Sequence, residues 1–127
     1  MKPRENLVRL KQFQVTEKRR QVSQLEMMIA EFERMATELD QQIANEEKRS
    51  GITDVDHFAY PTFAKAARTR RDNLAVSVRD LKSQLEGAAA ALAEADAELQ
   101  KAERLEERDG KTREPVREIP DRRMMIG

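Results

Sequence analysis

The chain contains no cysteine and no tryptophan, one histidine, one tyrosine and four phenylalanines among its 127 residues. Without cysteine there is no disulfide framework and no thiolate metal site, a usage that fits a reducing compartment. Four glycines and four prolines leave few structural breaks. Aromatic residues make up 4% and charged residues 38%. A chain so composed lacks the bulk for an ordinary globular core; it suits long helices sharing one narrow apolar seam, or disorder. No apolar run approaches the roughly 18–20 residues that span a bilayer, so direct membrane insertion is not expected. The opening MKPRENLVRLK has no apolar core followed by a small-residue cleavage site, and no signal peptide is expected. The length allows one domain at most.

What the sequence does contain is a repeat of seven. From about Asn6 to Lys48, the a positions hold Val8, Val15, Val22, Ile29, Ala36 and Ile43, and the d positions hold Lys11, Lys18, Leu25, Phe32, Leu39 and Glu46. From about Thr62 to Arg108, the a positions hold Ala64, Arg71, Val78, Leu85, Leu92, Leu99 and Glu106. The d positions there hold Ala67, Leu74, Leu81, Ala88, Ala95, Ala102 and Asp109. A heptad sustained this long argues for a coiled coil. Between the two segments, Gly51 can end the first helix in a left-handed cap, and Pro61 fits the first turn of the second. Asp54 or Thr62 can cap a helix start. After Arg108 the pattern stops, and Gly110, Pro115 and Pro120 break up the remainder.

The expected fold is therefore all-α, an antiparallel two-helix coiled-coil hairpin over residues 1–109. Its helices span about 6–48 and 62–108, its tip 49–61, and a flexible tail 110–127 follows. Folding about residue 55 sets Ile43 against Ala67, Ala36 against Leu74, Ile29 against Leu81 and Val22 against Ala88. Val15 then meets Ala95, Val8 meets Ala102, Phe32 meets Val78, and Leu25 meets Leu85. Large faces small in several layers, which fills a narrow core without voids or crowding. This explains the alanine-rich stretch GAAAALAEADAELQKAE at 87–103. Val22, Leu25, Ile29, Phe32, Leu39, Leu74, Val78, Leu81 and Leu85 are the expected core.

Charge agrees with the antiparallel pairing. Residues 1–20 hold seven basic and two acidic groups (+5), and residues 91–110 hold three and seven (−4). Residues 21–50 hold three basic and seven acidic groups (−4), and residues 61–90 hold six and three (+3). Folding back sets each block against its opposite. Each surface pair stabilises by at most about 1 kcal/mol; the pattern selects orientation more than it adds stability.

No residue constellation points to catalysis, and the chain is expected not to be an enzyme and to need no cofactor or metal. The single histidine, His57, sits in DVDHF with Asp54 and Asp56, at no spacing typical of a metal site. There is no glycine-rich phosphate loop. Basic clusters occur in EKRRQ (17–21) and KAARTRR (65–71). Net charge is zero, and neither cluster has an aromatic platform, so nucleic acid is not an expected partner. Apolar residues off the seam are more informative. Leu7, Leu10 and Phe13 lie off the a and d positions, as do Met27, Met28 and Met35. One reading is a local frame shift; the other is a docking face centred on Leu7, Leu10 and Phe13, where Arg4, Arg9, Lys11 and Arg19 steer an acidic partner. At the tip, Phe58, Tyr60 and Phe63 either seal the turn against Ile43 and Ala67 or form a second contact surface.

Two stretches, NLVRLKQFQVTEKRRQVSQLEMMIAEFERM and DHFAYPTFAKAARTRRDNL, together with the long-helix pattern, resemble the flagellar export protein FliJ family in its alphaproteobacterial form. The resemblance covers about residues 1–108. It implies a small cytoplasmic coiled-coil protein of the flagellar type III secretion apparatus, peripheral to the inner membrane and serving protein export, flagellum biogenesis, motility and chemotaxis. It implies a hairpin similar to the central stalk of rotary ATPases. The implied partners are the hexameric export ATPase, the large membrane component of the export gate, and export chaperones. Residues of roughly 1–25 and 90–108 would enter the ATPase ring. The alternatives are a structural coiled-coil adaptor in another pathway and a nucleic-acid-associated helical protein, the latter as a homodimer of long helices.

Overall fold

The computed structural model describes the backbone of residues 3–126 and the side chains of residues 3 and 5–110. The chain is all-α. Helix α1 (Pro3–Ser50) and helix α2 (Thr62–Ile126) are joined by a tip of residues 51–61 into a helical hairpin. Its contacts gather in two units. One is Gln21–Ala88, the tip with the helix segments on either side; the other is Met1–Arg20 with Ala89–Gly127. Each unit is built from a stretch of α1 lying along a stretch of α2.

The heptad decides which face is covered. Every a and d position of α1 from Val8 to Glu46, and of α2 from Ala64 to Asp109, is buried or half-buried. Within Gln21–Ala88, Leu39, Ile43 and Ala67 form a core cluster with Leu74 packed against it, in the register that sets Ile43 on Ala67. Ile29, Leu39 and Leu81 are buried, whereas Val22, Leu25, Phe32, Leu74, Val78 and Leu85 are half-buried. A pair of helices has two open flanks, so large seam residues stay partly visible; among the described residues only Ala64 is fully covered, at 0% exposure. In the other unit, Val8, Val15, Ala95 and Ala102 are buried. Lys11 takes its seam position half-buried, its Nζ 3.4 Å from Glu98 Oε1.

The tip is closed by local backbone bonds. Gly51 has φ +74°, and its N–H donates to the Glu47 carbonyl at 2.9 Å. A side chain at that φ would be strained, and glycine is the residue that adopts it readily. Ser50 Oγ accepts the Ile52 N–H at 3.1 Å. Asp54 Oδ1 accepts the Asp56 N–H at 3.0 Å, so Asp54 shapes the turn rather than starting a helix. The Pro61 carbonyl accepts the first bond of α2, from the Lys65 N–H at 3.0 Å. Pro61 thus stands just before the helix, and Thr62 is its first residue.

Both helices extend beyond their expected ends. α1 begins at Pro3 and runs to Ser50. α2 runs past Arg108, its expected end, through Gly110, Pro115 and Pro120 to Ile126. A proline inside a helix costs about 3 kcal/mol, which weakens a helix without dictating its end, and Lys, Arg and Glu on either side are good helix formers. Side chains beyond Gly110 lie outside the described residues, as does the flexibility expected of that stretch.

Candidate functional site

The best-organised polar cluster lies beside the tip. In each heptad, position e follows the d residue; Glu47 on α1 and Arg68 on α2 both occupy it, on the same flank of the hairpin. Arg68 Nη2 donates to Glu47 Oε2 at 2.8 Å, and Arg68 Nε donates to Tyr60 Oη at 2.9 Å. Tyr60 Oη in turn donates to Glu47 Oε2 at 2.7 Å. The Arg68 guanidinium stands 5.9 Å from the Tyr60 ring centroid, within reach of a cation–π contact. The Glu47 carboxyl is held below its ordinary range, first by the Arg68 hydrogen bond, then by that of Tyr60, against the opposing effect of desolvation. The Arg68 guanidinium is pushed further up by the same two partners. A closed triangle of this kind locks the tip to both helices.

The three tip aromatics part company. Tyr60 is buried at 7% exposure. Phe58, 96% exposed, stacks on His57 with centroids 4.7 Å apart, and Phe63 is exposed. The hydroxyl of Tyr60 has ionic partners, Glu47 and Arg68, that a phenylalanine cannot use. His57 Nδ1 accepts the Ala59 N–H at 3.0 Å, so one ring nitrogen is engaged in the turn. Among the described residues no cluster of three or more His, Asp or Glu side chains is placed to hold a metal.

Near the N-terminus, Leu10 and Phe13 are exposed on the outer face of α1, Phe13 at 62%. Leu7 is half-buried beside the seam. The basic residues expected around them divide. Arg9 is exposed. Lys11 pairs with Glu98, and Arg19 Nη2 lies 4.0 Å from Asp96 Oδ1. These two tie α1 to α2, Lys11 from a d position in the seam and Arg19 from the e position bordering it. The Arg4 side chain lies outside the described residues. The exposed patch thus reduces to Leu10, Phe13 and Arg9, with Arg20 nearby in a pair with Glu17 at 3.0 Å.

Within Gln21–Ala88 the two flanks of the seam differ. One is spanned by ion pairs: Glu33 with Lys82 at 3.4 Å, Asp40 with Arg71 at 3.0 Å, and Glu47 with Arg68. Arg71 stands at an a position; it reaches out to Asp40 and, at 3.1 Å, to Asp72, and these contacts raise its pKa. The opposite flank has no cross-helix ion pair among the described residues. It opens instead into a groove of about 270 Å³ lined by Phe32, Met35, Arg70, Asn73, Leu74 and Ser77. On the outer face of α1, Arg34 bridges Glu31 and Glu38, which raises Arg34 and lowers Glu31; all three are exposed.

Sequence reasoning did not find the Glu47–Tyr60–Arg68 triangle or the groove. The opposite charges at matching e positions were a readable signal for the first. The second was foreshadowed only by Met28 and Met35 at consecutive g positions. Comparison with protein-family models, curated proteins and solved structures finds no match. No helix among the described residues is long and apolar enough to cross a membrane.

Proposed function

We propose that this chain is a non-enzymatic component of a flagellar type III protein export apparatus, acting in the cytoplasm as a stalk within the export ATPase ring. In this reading it links the ring to the large membrane component of the export gate and to export chaperones. The observation that carries the reading is the exposed pair Leu10 and Phe13, beside Arg9, on α1 of a helical hairpin. The pair lies in NLVRLKQFQVTEKRR, the stretch that carries much of the resemblance to the FliJ family. Exposed apolar residues beside cations offer area to a partner and steer an acidic one.

A folded-back helix pair works by shape and contact. Its own side chains supply grip, and ATP chemistry belongs to the ring. A stalk that binds only the assembled ring favours assembly by mass action and thereby raises ATP hydrolysis. The test is ATPase activity of the purified export ATPase with and without saturating amounts of this chain. Stimulation that is lost in a still-helical Leu10→Ser/Phe13→Ser variant supports the reading. No stimulation, and no capture of the ATPase on the immobilised chain, contradicts it and leaves the adaptor role in another pathway.

A further inference from the structure

The turn between the helices is organised around the one histidine. The His57 N–H donates to the Asp54 carbonyl at 3.1 Å, and the His57 carbonyl accepts the Tyr60 N–H at 3.0 Å. These are backbone bonds open to almost any residue. A third bond uses the ring: Nδ1 accepts the Ala59 N–H at 3.0 Å. A backbone N–H can only donate, so Nδ1 must keep its lone pair and the proton of the neutral imidazole must sit on Nε2. In that state the ring lies on Phe58, with centroids 4.7 Å apart and planes 22° apart. Phe58 itself projects from the turn almost fully exposed.

A proton undoes this arrangement. Imidazolium carries N–H on both nitrogens and accepts nothing, so protonation of Nδ1 sets two N–H groups against each other and breaks the bond to Ala59. The cation then needs an acceptor. The turn supplies two exposed carboxylates, on Asp54 and Asp56, and Asp54 already accepts the Asp56 N–H. Other charged groups stand where the helices enter the turn. Arg49 pairs with Glu46, and Glu47 and Arg68 are held by each other and by Tyr60; Lys48 and Lys65 are exposed. Histidine is the side chain whose charge changes between about pH 5 and 8, a range in which carboxylates ordinarily keep theirs.

We propose that His57 is a proton-operated switch in the tip. With the ring neutral, the bond to Ala59 and the stack on Phe58 hold the phenylalanine in one projecting position. When the ring takes a proton from solvent it leaves Ala59 and turns its Nδ1–H to the carboxylate of Asp54 or Asp56. The stack opens, and Phe58 is released to other rotamers. The Glu47–Tyr60–Arg68 triangle stays closed in both states, so the switch changes what the tip presents and not whether the hairpin holds. A local charge change that biases a two-state element is the general form of such switches. The inference does not rest on the stalk reading, which is carried by Leu10 and Phe13.

The test is nuclear magnetic resonance of the full chain between about pH 8 and about pH 5. At the upper end, the imidazole nitrogen shifts should report a proton on Nε2 and none on Nδ1. As the ring titrates, exchange of the Ala59 amide with water, relative to its intrinsic rate, should rise by at least about fivefold, as expected for one lost hydrogen bond. The Phe58 ring signals should move with it, and those of Tyr60 should not. His57→Asn offers an amide oxygen in place of Nδ1 and does not titrate, so its Ala59 amide should show no such response. An Nδ1–H tautomer at the upper end overturns the proposal. So does an Ala59 amide indifferent to the titration, a Tyr60 ring that moves as much as Phe58, or a His57→Asn chain with the parent's response.

Discussion

Glu47 and Arg68 stand 21 positions apart in sequence and 2.8 Å apart in space, with the Tyr60 hydroxyl bonded to both. A carboxylate on α1, a guanidinium on α2 and a phenol from the tip thus close one triangle. Each group satisfies the other two, so removing one leaves the remaining pair short of a partner.

Tyr60→Phe should lower stability by about 1 kcal/mol, the usual worth of one hydrogen bond, with the ring still packed. Urea denaturation followed by circular dichroism measures it. A variant as stable as the parent would show that the hydroxyl contributes nothing to the tip.

The same triangle gives a pH dependence. The folded-state pKa of Glu47 lies below its ordinary value, while in the unfolded chain Glu titrates near 4.3. The unfolded chain therefore takes up this proton first on acidification. The contribution of Glu47 is complete above the ordinary carboxylate range and is lost as pH falls through the lowered folded value. Stability curves of the parent and Glu47→Gln should run apart at neutral pH and converge in acid. Parallel curves down to the lowest pH would contradict this.

Leu39 is buried in the cluster with Ile43 and Ala67. Leu39→Ala should cost about 2–4 kcal/mol, the transfer term plus a residual cavity, read as a lower urea midpoint. A loss under about 1 kcal/mol would mean that the layer collapses around the gap.

Small residues in the seam should be as exacting as large ones. Ala95 and Val15 are both buried in the unit containing Met1–Arg20. Ala95→Leu should destabilise by about 1–3 kcal/mol through overpacking. Val15→Ala added to it should recover part of that loss, since contacting sites couple. Strict additivity would show that the two do not face each other.

Much of this fold is legible in the sequence because a heptad is a statement about burial. Val8, Leu39, Leu81 and Ala102 occupy a or d positions and are buried; Lys11, Lys18 and Arg71 also follow the pattern and are half-buried despite their charge, since long stems can line a seam while the charged ends reach outward. Gly51 marks the end of α1 because its φ of +74° suits glycine. What the periodicity does not encode is where a turn aims its side chains. Tyr60 and Phe58 are two residues apart, yet one is buried and the other almost fully exposed; local bonds from Asp54 and His57 decide between them. Nor does the periodicity place the far end of α2: Gly110, Pro115 and Pro120 lower helix propensity, which is a cost rather than a boundary, and the helix runs to Ile126.

Of the candidate partner residues, Leu10 and Phe13 are exposed, whereas Lys11 and Arg19 turn to Glu98 and Asp96. Leu10→Ser/Phe13→Ser should therefore change stability by no more than about 0.5 kcal/mol per site, as is usual for exposed positions. A cooperative loss of helix in this variant would mean that the two residues serve the fold and not a partner.

The central claim is that α1 and α2 lie side by side, antiparallel, within one chain. Spin labels on Thr16→Cys and Ala97→Cys, both exposed positions, test it directly, with labelled chains diluted into unlabelled ones so that only intramolecular distances are read. Interaxial spacings of about 8–10 Å between packed helices, plus two label arms, predict a separation of about 20–30 Å. A separation approaching the roughly 120 Å that the intervening residues would span as one continuous helix at about 1.5 Å per residue would contradict the hairpin.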